Sequence, residues 1–127
     1  MLSDKLYRGI KRSQPSFITP AGNISSAMFK DENGVSVDRA MQRTENEAIE
    51  RLKDSFGKRL KGVVSLSEKS VSDAAAVLIP APSRDNPYHA EIYKNIQKEM
   101  LTRVQQLILA DSCSLIYIND SVNWNVV

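Results

Sequence analysis

The stretch Ala76–Tyr93, AVLIPAPSRDNPYHAEIY, reads as strand, rigid turn, strand. The unbroken apolar run Ala75–Ile79 predicts a strand buried on both faces. Pro80, Pro82 and Pro87 then stiffen a turn that holds the chain's only histidine, His89. Ala90–Tyr93 follows as a second strand with Ile92 inward.

Helical patterns lie on both sides of this unit. Thr44 and Glu47 have capping-box spacing, Ala48, Ile49, Leu52 and Phe56 form one stripe, and Gly57 supplies the stop. Downstream, Asn95 is placed to cap a helix over Ile96–Ala110, with Ile96, Met100, Leu101, Val104, Leu107 and Ile108 as its buried stripe and Leu109 off it. Ser67 is placed to cap a short helix to Asp73 with Val71 inward, after a buried strand within Leu60–Leu66.

Nearer the start, Leu6, Tyr7 and Ile10 lie in an entry segment and Ser16–Thr19 reads as extended between Pro15 and Pro20. Ile24–Lys30 and Val35–Arg39 read as the strands of a hairpin closed by Asn33-Gly34, since both turn residues accept positive φ. Ser114–Asn119 has strand composition, and Val122, Trp124 and Val126 alternate with asparagines. Strands and helices interleave irregularly. The expected fold is α+β: a single domain over 1–127, with a mixed or antiparallel sheet against two main helices. Residues 112–127 would supply an edge strand or an association tail.

Composition narrows the function classes. With 127 residues, 42% hydrophobic and 25% charged, the chain has ordinary globular usage for one core. A net charge of +2 gives no strong field for nucleic acid or an anionic membrane. The basic groups Lys5, Arg8, Lys11 and Arg12, and Lys58, Arg59 and Lys61, read as solvated surface. One cysteine, Cys113, cannot close an internal disulfide, which points to a reducing, cytoplasmic setting. One Cys and one His cannot make a four-ligand Cys/His metal set. There is no apolar leader and no run near the roughly 20 residues of a membrane span. Phosphate-loop, dinucleotide, HExxH and GxSxG motifs are absent, and no cofactor is expected.

His89 lies beside Asp85, Asn86, Tyr88 and Glu91. An imidazole near carboxylates can act as acid or base near neutral pH, and the same residues can simply hold a turn through backbone bonds. Asp38 and Arg39, at a strand end, are placed to join His89 and Glu91 in a polar patch across the sheet. Tyr88 suits an anchor or a partner contact.

Two resemblances follow. The order Arg8, Ser25-Ser26, Glu45-x-Glu47 resembles the arginine–serine–glutamate order of ADP-ribosyltransferases. Gly22-Asn-Ile-Ser-Ser26-Ala-Met-Phe29, Ser36-Val-Asp38 and Asn86-Pro-Tyr-His-Ala90 together resemble a family of small uncharacterised bacterial proteins with G-x-I-S-S-x-x-F, S-V-D and N-P-x-H-A segments. That likeness spans roughly residues 6 to 110. It implies a cytoplasmic bacterial protein of one domain, carries no activity, and makes Ser25, Ser26, Asp38, Asn86 and His89 one signature expected to meet in space.

The expected function is a small binding or accessory protein acting through a protein partner or self-association within a multi-component system. The alternative is a small enzyme or nucleotide-binding domain using His89, Asp38 and Ser25/Ser26, with Arg39, Asp85, Asn86, Tyr88 and Glu91 as binding residues. Whether the protein is an enzyme stays open at the level of sequence.

Overall fold

The computed structural model describes residues 4–11 and 23–119. Along the chain come β1 (Lys5–Lys11), a 3-10 turn (Ser26–Phe29), β2 (Val35–Arg39), α1 (Glu45–Phe56), β3 (Leu60–Ser67), α2 (Glu68–Asp73), β4 (Val77–Pro80), β5 (His89–Tyr93), α3 (Arg103–Ser112) and β6 (Ser114–Ile118). The strands form one sheet in the order β4-β5-β2-β1-β3-β6, with every neighbouring pair antiparallel. The fold is therefore the expected α+β arrangement, in its antiparallel form.

Apolar side chains cover both faces of the sheet. On one face α1 packs Ala48, Ile49 and Leu52 against Tyr7, Leu60 and Val63. On the other, α2, α3 and the 3-10 turn close over Leu6, Ile10, Val64, Leu66 and Ile92, with Phe29 and Leu109 fully buried. β3 is buried along nearly its whole length because it runs between the two layers. Full burial of each large apolar side chain contributes about 1.5–3 kcal/mol before entropy is subtracted.

The α1 reading holds in detail. Thr44 Oγ1 accepts from the Glu47 N–H at 3.2 Å, and Glu47 Oε1 accepts from the Thr44 N–H at 3.0 Å. Gly57 ends the helix at φ +56°. Ser67 likewise caps α2 with Val71 buried.

Four expectations are corrected. Ile24–Lys30 is not a hairpin strand: Ser25 Oγ accepts from the Ala27 N–H at 3.2 Å and starts a 3-10 turn that buries Met28 and Phe29. The Asp31–Gly34 turn itself is real, with Gly34 at φ +91°, but it leads from that turn into β2. β4 is a half-buried edge strand rather than one buried on both faces. The entry segment, read with no place in the sheet, forms β1 between β2 and β3 and buries Leu6, Tyr7 and Ile10.

The fourth correction concerns the last helix. Asn95 spends its side chain on a local turn, accepting from the N–H groups of Gln97 and Glu99, and Lys98 has φ +61°. α3 starts only at Arg103, where Thr102 and Gln105 form a second capping box. That later start rotates the assignment of its faces. Leu101, Leu109 and Ala110 are buried with Gln105 and Gln106, whereas Ile96, Met100, Val104 and Leu107 are exposed. Ser16–Thr19 and the segment from Val122 onward lie outside the described residues.

Candidate functional site

β1 and β2 run together only briefly. Their paired residues are Leu6 with Arg39 and Tyr7 with Asp38. Beyond Tyr7 the strands part, and the side chain of Arg8 fills the fork. Its Nε donates to the Met28 carbonyl and its Nη1 to the Ser36 carbonyl, both at 2.9 Å. Arg8 is 6% exposed, and burial pulls its guanidinium down to about 10, a shift opposed by the charge of Asp31.

The fork opens into a cleft of about 410 Å³. β1, β2, the last turn of α1 and the β4–β5 turn form its walls. The Phe56 ring lies against the backbone of Gly9, where an added Cβ would stand 2.2 Å from Phe56 Cε2. A side chain at position 9 would thus displace the Phe56 ring. Lys11 Nζ sits over this ring, 5.6 Å from its centroid.

The polar wall comes from β2 and β5. Asp38 pairs across strands with His89, and Ser36 with Glu91. Asn86 joins them: its Nδ2 donates to Asp38 Oδ1 at 2.9 Å, and its Oδ1 accepts from the Tyr88 N–H at 3.0 Å. That second bond fixes which way the amide faces. His89 Nε2 lies 3.6 Å from Glu91 Oε2, with 27% of its side chain exposed. The opposite carboxylate oxygen of Glu91 accepts from the Tyr93 hydroxyl at 2.9 Å. Burial first, and that bond second, push the Tyr93 phenol above its ordinary value. The imidazole is neither sealed in the core nor bonded to main chain among the described residues, so it can exchange protons with a group in the cleft.

Two arginines, Arg43 just before α1 and Arg51 within it, hold the β4–β5 turn. The Arg43 guanidinium stacks 3.4 Å from the Tyr88 ring centroid. Arg51 Nη2 donates to the Asp85 carbonyl at 2.6 Å. Asp85 and Tyr88 therefore hold the turn in place, while Asn86 and His89 line the cleft. Arg39 lies outside the lining, its N–H bonded to the Tyr88 carbonyl at 2.8 Å.

Of the expected signature, Asp38, Asn86 and His89 converge. Ser25 and Ser26 do not: they sit at the 3-10 turn in the layer shared with α3, and Ser25 is occupied as a cap. The arginine–serine–glutamate set is likewise dispersed. Arg8 is bonded to carbonyls at the fork, and Glu45 and Glu47 lie in the first turn of α1, on the opposite face of the sheet from Ser25.

Two basic residues read as solvated surface are buried: Lys61 of β3, 2% exposed, and Arg8, 6% exposed. A usable signal existed: in the alternation Leu6, Arg8, Ile10 the charge occupies a core-facing position. The contributions of Tyr7, Asp31, Ser36, Ser55 and Phe56 had no local signal. Among the described residues no three His, Cys, Asp or Glu side chains are grouped to hold a metal ion, and no helix is long and apolar enough to cross a membrane. Comparison of the chain with protein-family models, curated proteins and solved structures finds no match.

Proposed function

We propose that the protein is a small-molecule binding domain whose ligand lies in the cleft at the β1–β2 fork. The observation that carries this reading is convergence. Arg8, Asp38, and Asn86 with His89, from three segments of the chain, line one concavity of about 410 Å³. That volume falls in the range of small-ligand sites, and a concavity with a few converging polar groups is the default place to bind one. His89 with Glu91 behind it gives the site an acid–base group, which is how an enzymatic role would enter. Cys113, whose thiol burial pushes up to about 12, is unreactive and fits the reducing, cytoplasmic setting that belongs to this proposal.

Ligand-observed saturation-transfer NMR on the full chain, with a mixture of amino acids, nucleotides and sugar phosphates, tests the reading. At least one compound is expected to receive saturation from the wild type and not from Ser55→Trp, an exposed rim substitution that closes the mouth without touching the core. No transfer to any compound would reject it.

A second reading, action through a protein partner or a second copy, has its own observation. α3 buries Gln105 and Gln106 yet leaves Val104 64% and Leu107 43% exposed, and Ile96 and Met100, earlier in the chain, are exposed as well. Such an inversion marks a surface kept apolar for contact. Light scattering over a concentration series would show self-association that Leu107→Asp abolishes; a monomer throughout contradicts the second-copy form.

A further inference from the structure

Two opposite charges are buried in the same cleft without meeting. Arg8 is 6% exposed and Asp38 is 5% exposed. Both line the cavity. Arg8 commits Nε and Nη1 to carbonyls, and Nη2 makes no hydrogen bond among the described residues. Asp38 commits Oδ1 to Asn86, and Oδ2 accepts none among them. No ion pair joins Arg8 to any carboxylate in the described residues. A buried charge is costly unless its hydrogen-bonding capacity is met, and Arg8 Nη2 and Asp38 Oδ2 are the atoms of the two groups left for a ligand.

The sign of that ligand follows from the balance. Lys11 and Asp31 also line the cleft, so two basic residues face two acidic ones. A phosphate dianion would gain Arg8 and Lys11 but meet Asp31 and Asp38. A simple cation would gain the aspartates but meet the arginine. A ligand carrying one charge of each sign satisfies both buried groups at once. Leu52, Phe56 and Tyr7 add an apolar wall beside them.

We infer that the cleft binds an α-amino acid with an apolar side chain, its carboxylate on Arg8, its ammonium on Asp38, and its side chain against Leu52 and Phe56. This rests on the reading of the cleft as a ligand site and names the class of ligand. Guanidinium is well matched to carboxylate by charge-assisted hydrogen bonding, and Arg8 has Nη2 left to donate. The ammonium has three donors, and Asp38 Oδ2 can accept one.

Isothermal titration calorimetry on the full chain, using L-leucine and L-phenylalanine, tests the inference. Saturable heat at millimolar concentration or below is expected. Leucinamide, which lacks the carboxylate, and N-acetyl-leucine, which lacks the ammonium, are each expected to bind more than about tenfold more weakly. Asp38→Asn keeps an acceptor for Asn86, and is expected to weaken leucine by a similar factor while leaving N-acetyl-leucine unchanged. Equal binding of leucine and both derivatives would overturn the assignment. Binding of adenosine monophosphate but not leucine would overturn it too, while leaving the cleft a ligand site. Silence of the cleft to every one of these probes, with the fold intact by circular dichroism, would remove both.

Discussion

Replacing Arg8 by methionine is expected to leave the Met28 and Ser36 carbonyls without their donors at the fork of the sheet. Each unsatisfied carbonyl costs about 1–3 kcal/mol, so urea unfolding should report a loss of at least about 2 kcal/mol. An Arg8 that merely coated the surface would show a change within about 0.5 kcal/mol. Gly34 carries a second single-residue constraint. Its φ of +91° favours glycine, and an added Cβ would stand 2.5 Å from the Tyr93 ring. Gly34→Ala should therefore destabilise by more than about 1–2 kcal/mol and loosen the Tyr93–Glu91 bond behind His89. Cys113 offers a chemical check. With its thiol raised to about 12 by burial, it stays protonated at neutral pH. Reaction with a disulfide reagent should be slow in the native protein and complete after denaturation. These residue-level facts were unevenly legible. Asn33-Gly34 announced its turn, because the dipeptide's backbone preference is local. Arg8 did not announce its burial, because a charge in a basic cluster looks solvated until the strand alternation is taken seriously.

Helix ends show how far local chemistry carries at the level of elements. Both capping boxes, Thr44 with Glu47 and Thr102 with Gln105, are formed in full. The first was legible because an apolar stripe follows it in register. The second was passed over for Asn95, because apolar residues recur at helical spacing from Ile96 onward although the chain there forms a turn. Periodicity alone could not say which of these side chains face inward: Leu101 is buried and Ile108 packs against the core, whereas Ile96, Met100, Val104 and Leu107 are exposed. Thr44→Ala should cost about 1 kcal/mol by thermal or urea unfolding. Glu47 adds a pH signature. Its hydrogen bonds to Thr44 hold its carboxyl below the ordinary 4.5. A folded value below the unfolded one means the stabilisation is complete above about pH 4.5 and disappears as pH falls through the folded value. The gap in melting temperature between wild type and Glu47→Gln should therefore narrow on acidification. A gap that stayed constant to pH 3 would show that the carboxylate form contributes nothing special (roughly, the scale of an exposed charge).

The cleft exists only at the scale of the whole molecule. Asn86 and Asp38 lie 48 positions apart in the chain and meet because β5 lies beside β2. The histidine-bearing bend lies against the segment with Asp38, as the sequence leads one to expect. Ser25 and Ser26 would join them only if Ile24–Lys30 were a strand of the same sheet. Once that stretch is a 3-10 turn under α3, the serines belong to the other layer. The fork that admits Arg8, and the approach of Phe56 to Gly9, depend on the crossing of β1, β2 and α1, which no short window encodes. His89 is the sole histidine of the chain, so its imidazole protons report the cleft without ambiguity. The most direct test is a proton NMR titration of those resonances with L-leucine in wild type and in Ser55→Trp. A saturable shift in the wild type that is lost when the mouth is closed is the predicted result. Resonances that stay fixed in the wild type, or move equally in both proteins, would contradict an amino-acid site at the fork.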